Sequence, residues 1–194
     1  MKGSMKKLVV LVIIATIVTF ISAAMAKDVK DKYWGKNHCK AIHGEYAATS
    51  VVSCNAYKKD DGTFTGTSIS TQLAIYTFNR DGTGTVQGKF VMIGITPAPG
   101  ESSYDFWWDF TYEVADDGKI TMDVVPGTGE FKIGNFVVYS YTGAVAPESG
   151  WLSADHKTIT IGIETVGNTE ITLYDGNIRN VKCNISRVLI RVGE

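Results

Sequence analysis

Between Tyr104 and Val114 the chain alternates without a break. Tyr104, Phe106, Trp108, Phe110, Tyr112 and Val114 share one parity, and Asp105, Trp107, Asp109, Thr111 and Glu113 the other. Successive side chains of an extended strand point to opposite faces, so this segment is a strand with one ring-bearing face and one acidic face. Each ring hides on the order of 150–250 Å² when buried. The aromatic face therefore has to be enclosed.

The rest of the chain from Gly44 onward reads the same way. Runs rich in Val, Ile, Thr, Tyr and Phe predict strands near Glu45–Cys54, Ser68–Phe78, Thr83–Thr96, Tyr104–Ala115, Lys119–Val125, Phe136–Val145, Thr158–Val166, Glu170–Tyr174 and Lys182–Val192. Between them stand Arg80-Asp81-Gly82, Asp116-Asp117-Gly118 and Asp175-Gly176, where glycine supplies the positive φ of a tight reversal. Asp155-His156-Lys157 repeats the device with His156 in the glycine's place, since His tolerates that backbone better than most residues. Tight turns join antiparallel neighbours, whereas parallel strands need long crossovers. The expectation is all-β: an antiparallel meander of eight or nine strands closed into a small barrel.

The first 26 residues are set apart from that fold. Lys2, Lys6 and Lys7 precede an uncharged run from Leu8 to Ile21, and Ala24 and Ala26 complete an A-x-A cleavage pattern. This is the layout of a secretory signal peptide, and the apolar core is shorter than the roughly 20 residues a membrane span requires. Domain boundaries follow as 1–26 signal peptide, 27–43 N-terminal arm and 44–194 barrel. The mature protein is expected in the periplasm or outside the cell, with no membrane anchor after cleavage. Loss of those three lysines reduces 19 basic residues to 16 against 20 acidic ones, a charge of about −4. With no basic excess, nucleic acid is not an expected partner.

Export permits disulfides. Cys39, Cys54 and Cys183 allow one bridge and leave one thiol over. Closing a barrel brings its terminal strands together, which favours Cys54 with Cys183 and leaves Cys39 free in the arm. Cys39 with Cys54 is the alternative pairing.

An aromatic stripe inside a small barrel has two readings. It fills the core, or it lines a cavity, since eight strands leave just enough room for one small ligand. In the second reading Tyr104, Phe106, Trp108, Phe110 and Tyr112 bind a small hydrophobic molecule, with the Tyr hydroxyls and Trp N–H as its few polar handles. Gln72, Gln87 and Glu164 are the polar residues considered for an inward direction, although Glu164 lies opposite Ile159, Ile161 and Ile163 in parity. An inward acid would make a cyclase or isomerase on the same scaffold. A third function is a surface or assembly protein using an exposed edge strand or Trp107.

Other chemistry finds little support in the spacing. His38, Cys39 and His43 are suitable metal ligands by type, but the two histidines are five residues apart rather than four, and a fourth ligand is missing. Asn79 to Phe90 resembles a calcium loop at its start, but Phe90 stands where a bidentate Glu is needed. No dinucleotide fingerprint, phosphate loop or nucleophile elbow occurs. No metal and no cofactor are expected.

Gly44-Glu45-Tyr46, the run Thr77-Phe78-Asn79-Arg80-Asp81-Gly82-Thr83-Gly84-Thr85-Val86 and Cys183-Asn184-Ile185-Ser186-Arg187-Val188-Leu189-Ile190 resemble uncharacterised exported bacterial β-barrel proteins. In general shape the chain is similar to calycin barrels and to allene oxide cyclase-like or dirigent-like barrels. That resemblance implies a barrel cavity that binds or cyclises apolar small molecules. It transfers no catalytic residue, and the Gly-x-Trp of lipocalins is absent, Trp34-Gly35 standing in the wrong order.

Overall fold

Strands joined by tight turns pair in the order they are written, and the ladder follows that rule at each tight turn among the described residues. The computed structural model describes residues 42–96, 100–141, 143, 145–162 and 168–193. The signal segment, the arm up to residue 41 and Glu164 lie outside the described residues. The strands are β1 (Gly44–Lys58), β2 (Phe64–Phe78), β3 (Thr83–Thr96), β4 (Gly100–Val114), β5 (Lys119–Val124), β6 (Glu130–Ile133), β7 (Phe136–Tyr141), β8 (Glu148–Leu152), β9 (Thr158–Gly162), β10 (Asn168–Leu173) and β11 (Ile178–Arg191).

All pairings are antiparallel, and β1 pairs with β11 to close the sheet on itself. β5 and β6 lie against different stretches of the same strand, Phe110–Val114 and Asp105–Trp107 of β4. β8 and β9 continue the wall beyond β5, and β7 and β10 continue it beyond β6, both routes ending on β11. Each passage of chain between β4 and β11 is thus one strand of the meander, interrupted in the middle. Two eight-membered rings result, sharing β1 to β4 and β11. Every strand has a neighbour on both sides, so the edge strand that an assembly role would use is not present among the described residues.

The interruptions are where the strand readings needed correction. β6 and β8 are additional strands, and β7 stops at Tyr141 rather than Val145. Pro126 cannot donate to a ladder, and the chain turns there, the Thr128 N–H donating to the Val125 carbonyl at 3.3 Å. Thr128 covers the gap: its hydroxyl accepts the Asp109 N–H at 3.1 Å and donates to the Val125 carbonyl at 2.7 Å. Pro147 stands at the corresponding gap between β7 and β8.

Four turns share one mechanism with a fifth that the sequence reading passed over. At Asp61-Gly62-Thr63, Asp81-Gly82-Thr83, Asp117-Gly118-Lys119, Asp155-His156-Lys157 and Asp175-Gly176-Asn177, the Asp carboxylate accepts the N–H two residues on, at 2.8–3.1 Å. The middle residue has positive φ each time, and His156, at 58°, is the only non-glycine with that backbone among the described residues.

These hydrogen bonds hold the carboxyls of Asp61, Asp81, Asp155 and Asp175 below the usual Asp value; the Thr63, Thr83 and Ser153 hydroxyls contribute most to the first three, and the Asn177 backbone to Asp175. A carboxyl with a depressed folded-state pKa stabilises the fold above its unfolded value and loses that contribution as the pH falls through the folded one. Stability is therefore expected to be level near neutrality and to fall below about pH 4. Thermal melts across that range check it: Asp81→Asn, which keeps the acceptor without the titration, gives a shallower acid limb, and an unchanged limb contradicts the assignment.

Candidate functional site

The inward parity of the strands divides the barrel interior into two halves of different character. Near the turns at residues 79–83, 115–119 and 153–158, large side chains fill the space. Tyr46, Tyr76, Phe78, Phe110, Ile120, Ile159 and Leu189 are all 2% exposed or less. Phe78 meets Tyr46, Phe110 and Tyr112 edge-on at centroid distances of 5.0–5.2 Å. Gly84, opposite Phe110 in register, leaves room for that ring; a Cβ there would lie 2.3 Å from it. Ile42, fully buried, completes this end, and the Tyr112 hydroxyl donates to its carbonyl at 2.9 Å.

The other half is hollow. A cavity of about 450 Å³ is walled by rings from Phe90, Tyr104, Trp108, Phe131, Tyr139 and Tyr141 and by aliphatic side chains such as Val52, Met92, Ile171 and Val181. Phe131 stacks on Tyr139 at 4.1 Å, and Trp108 on Phe106 at 4.9 Å. Cys54 and Cys183, directly opposed across β1 and β11, form a disulfide in the cavity wall. This is the pairing that strand closure favours, and it excludes Cys39 with Cys54.

The aromatic stripe of β4 is buried along its whole length. It does not face one space, however. Tyr104 and Trp108 line the cavity, Phe106 lies behind Trp108 and Phe131, and Phe110 and Tyr112 belong to the filled half. Its opposite parity is turned to solvent, with Trp107 39% exposed and its indole N–H donating to Glu130 at 3.2 Å.

A polar belt separates the two halves, and register assembles it. Gln72, Ser50 and Arg187 are adjacent across β2, β1 and β11. Gln72 Oε1 accepts hydrogen bonds from Ser50 Oγ at 3.0 Å and from Arg187 Nη2 at 3.2 Å. Arg187 is 2% exposed, forms an ion pair with Glu148 of β8, and lies 5.2 Å from the centre of the Tyr76 ring. Burial alone would lower the Arg187 pKa, but the Glu148 carboxylate and nearby hydroxyls outweigh it, so the guanidinium is held charged. Burial also pushes the hydroxyl pKa values of Tyr76, Tyr139 and Tyr141 far upward, and these groups stay neutral hydrogen-bonders.

Glu148 and Arg187 both border the cavity. Only Oε2 of Glu148 is engaged by Arg187. Glu148 Oε1 and the Tyr141 hydroxyl have no hydrogen-bond partner among the described residues, and neither atom is sealed off.

Of the polar residues considered for the interior, Gln72 is buried in this belt and Gln87 is exposed. Arg187 was missed although a signal was present: it lies between Ile185 and Leu189 in the inward parity of its strand. Glu148 carried no signal, because its short strand follows Pro147 and had no recognisable alternation. His38 and Cys39 lie outside the described residues, within which no three potential metal ligands come together. No described helix is long and apolar enough to cross a membrane.

Neither a protein-family model nor a curated protein matches the sequence. Among solved structures the chain is similar to DynF from the dynemicin biosynthesis pathway of Micromonospora chersina, with 6% identity and a TM-score of 0.41 over 77% of this chain and 81% of that one. It is also similar to the S-type phycobiliprotein lyase CPES from Guillardia theta, with 7% identity and a TM-score of 0.30 over 81% of this chain and 92% of that one. Both likenesses are too distant to carry a functional argument. The barrel stands on its own closed hydrogen-bond ladder.

Proposed function

We propose that this is an exported barrel that holds one small, largely apolar molecule in the open half of its interior. The observation that carries the reading is the cavity of about 450 Å³ walled by aromatic and aliphatic side chains. Ligand pockets in proteins span roughly 300–1,000 Å³ and combine such walls with a few placed polar groups. Tyr104 and Trp108 would contact the molecule directly, while Phe106, Phe110 and Tyr112 would hold the wall and floor in place. The resemblance to calycin and allene oxide cyclase-like barrels agrees with this role. Export is supported by the A-x-A leader pattern and by the Cys54–Cys183 bridge, which persists in oxidising compartments.

The interior also argues against a lipid-embedded barrel. Outer-membrane barrels carry their apolar side chains outward and are polar within. Here Asp105 and Glu113 face outward on β4, and its rings face inward.

A second reading has one observation in its favour. Glu148 is a carboxylate bordering the cavity, with its side chain only 12% exposed. Such a group could move a proton on a bound molecule, as a cyclase or isomerase requires.

Titration with N-phenyl-1-naphthylamine, a neutral dye that brightens in apolar surroundings, tests the binding role. The dye is expected to bind at one saturable site per chain. Val52→Trp, which fills the cavity from β1, is expected to abolish that binding while leaving the strand content unchanged by circular dichroism. No saturable binding, or binding indifferent to Val52→Trp, would remove the cavity from consideration.

A further inference from the structure

The polar belt decides which apolar molecules the cavity accepts. Arg187 and Glu148 neutralise each other, so the floor carries a dipole and no net charge. The atoms it leaves open are Glu148 Oε1, which only accepts, the Gln72 amide NH2, which only donates, and the Tyr141 hydroxyl, which donates or accepts. Arg187 Nε is buried and without a partner, yet it is sealed away from the cavity. At the floor a ligand carboxylate would therefore meet the Glu148 carboxylate before any free edge of Arg187. Arg179, the other cation of the lining, stands eight residues away along β11, roughly 26 Å at the rise of a strand, and so at the rim rather than the floor. Like charges placed together in a low-dielectric site repel each other strongly. A purely hydrocarbon end would leave Glu148 Oε1 and Tyr141 desolvated and unpaired, which is also unfavourable. A neutral group that both donates and accepts satisfies both atoms.

We infer that the cavity selects neutral, mainly apolar molecules ending in a hydroxyl or carboxamide, and rejects the corresponding carboxylates. This rests on the binding role proposed above and names its ligand class. Tyr104, Trp108 and Phe131 would take the apolar body, with the donor–acceptor end resting on Glu148 and Tyr141.

Calorimetric titration with three molecules of one frame tests it: biphenyl-4-carboxamide, biphenyl-4-carboxylate and 4-methylbiphenyl. The native protein is expected to bind the carboxamide at least about tenfold more tightly than either of the others. The amide and carboxylate have nearly the same shape, so their difference reports charge. In Glu148→Leu/Arg187→Met, which makes the floor apolar without stranding a charge, 4-methylbiphenyl is expected to overtake the carboxamide. Equal or tighter binding of the carboxylate by the native protein overturns the inference, as does an unchanged ranking in the double variant. Those results leave the cavity's binding role intact. Failure of all three to bind, together with failure of the dye, overturns both.

Discussion

Replacing Glu148 alone by leucine is expected to cost about 3–5 kcal/mol of stability, the range found when one partner of a buried ion pair is removed. The side chain lost is acidic and partly open to the cavity, but the damage falls on Arg187. That guanidinium is 2% exposed, its Nε already lacks a partner, and only Gln72 would remain to receive it. A cation in that position can neither reach water nor give up its proton. Adding Arg187→Met should restore most of the loss, because a well-packed apolar pair replaces the ion pair without stranding a charge. Urea denaturation of the three proteins measures this through the midpoints at constant slope. If the single variant lost less than about 1 kcal/mol, Glu148 would not be what compensates the buried Arg187 guanidinium.

The second large effect concerns the bridge between the closing strands. Cys54 and Cys183 are 129 residues apart in sequence and directly opposed in space. Cross-linking a loop of that size removes chain entropy from the unfolded state worth about 4–5 kcal/mol on the polymer argument. Cys54→Ala/Cys183→Ala, in a Cys39→Ser background that prevents thiol exchange, should lower the urea midpoint accordingly. The slope should rise as well, since an uncrosslinked unfolded chain exposes more surface. Domains of this size are commonly stable by only 5–15 kcal/mol, so the change is large enough to see. An unchanged midpoint would mean that the hydrogen bonds between β1 and β11 close the barrel unaided.

Much of the architecture could be read from local chemistry. Alternation over Tyr104–Val114 named the buried face of β4, and all of its inward rings are buried. Asp-Gly pairs marked reversals because a short acceptor next to a residue free to take positive φ closes a turn within a few residues. The same logic picked out His156, whose φ is 58°. Each of these features depends on residues close together in sequence. Pairing of Cys54 with Cys183 then needed one further step, that a meander of this length closes on itself.

The division of the interior lay beyond such reasoning. Phe106, Phe110 and Tyr112 have the same parity and chemistry as Tyr104 and Trp108, yet only the last two border the open space. What separates them is the company supplied by distant strands: Tyr76, Phe78 and Ile42 crowd one half, while small residues such as Ala56, Gly66 and Ser68 leave the other hollow. Parity along one strand cannot state what faces it from across the barrel.

The chain's own order of residues therefore determined the strand type, the turns and the inward faces, all of which obey short-range sterics and the two-residue repeat. Tertiary structure alone decided where the rings leave a void, and it alone brought Glu148 beneath Arg187. Both are matters of volume and charge shared by strands far apart in sequence, and only closure of the ring sets those distances.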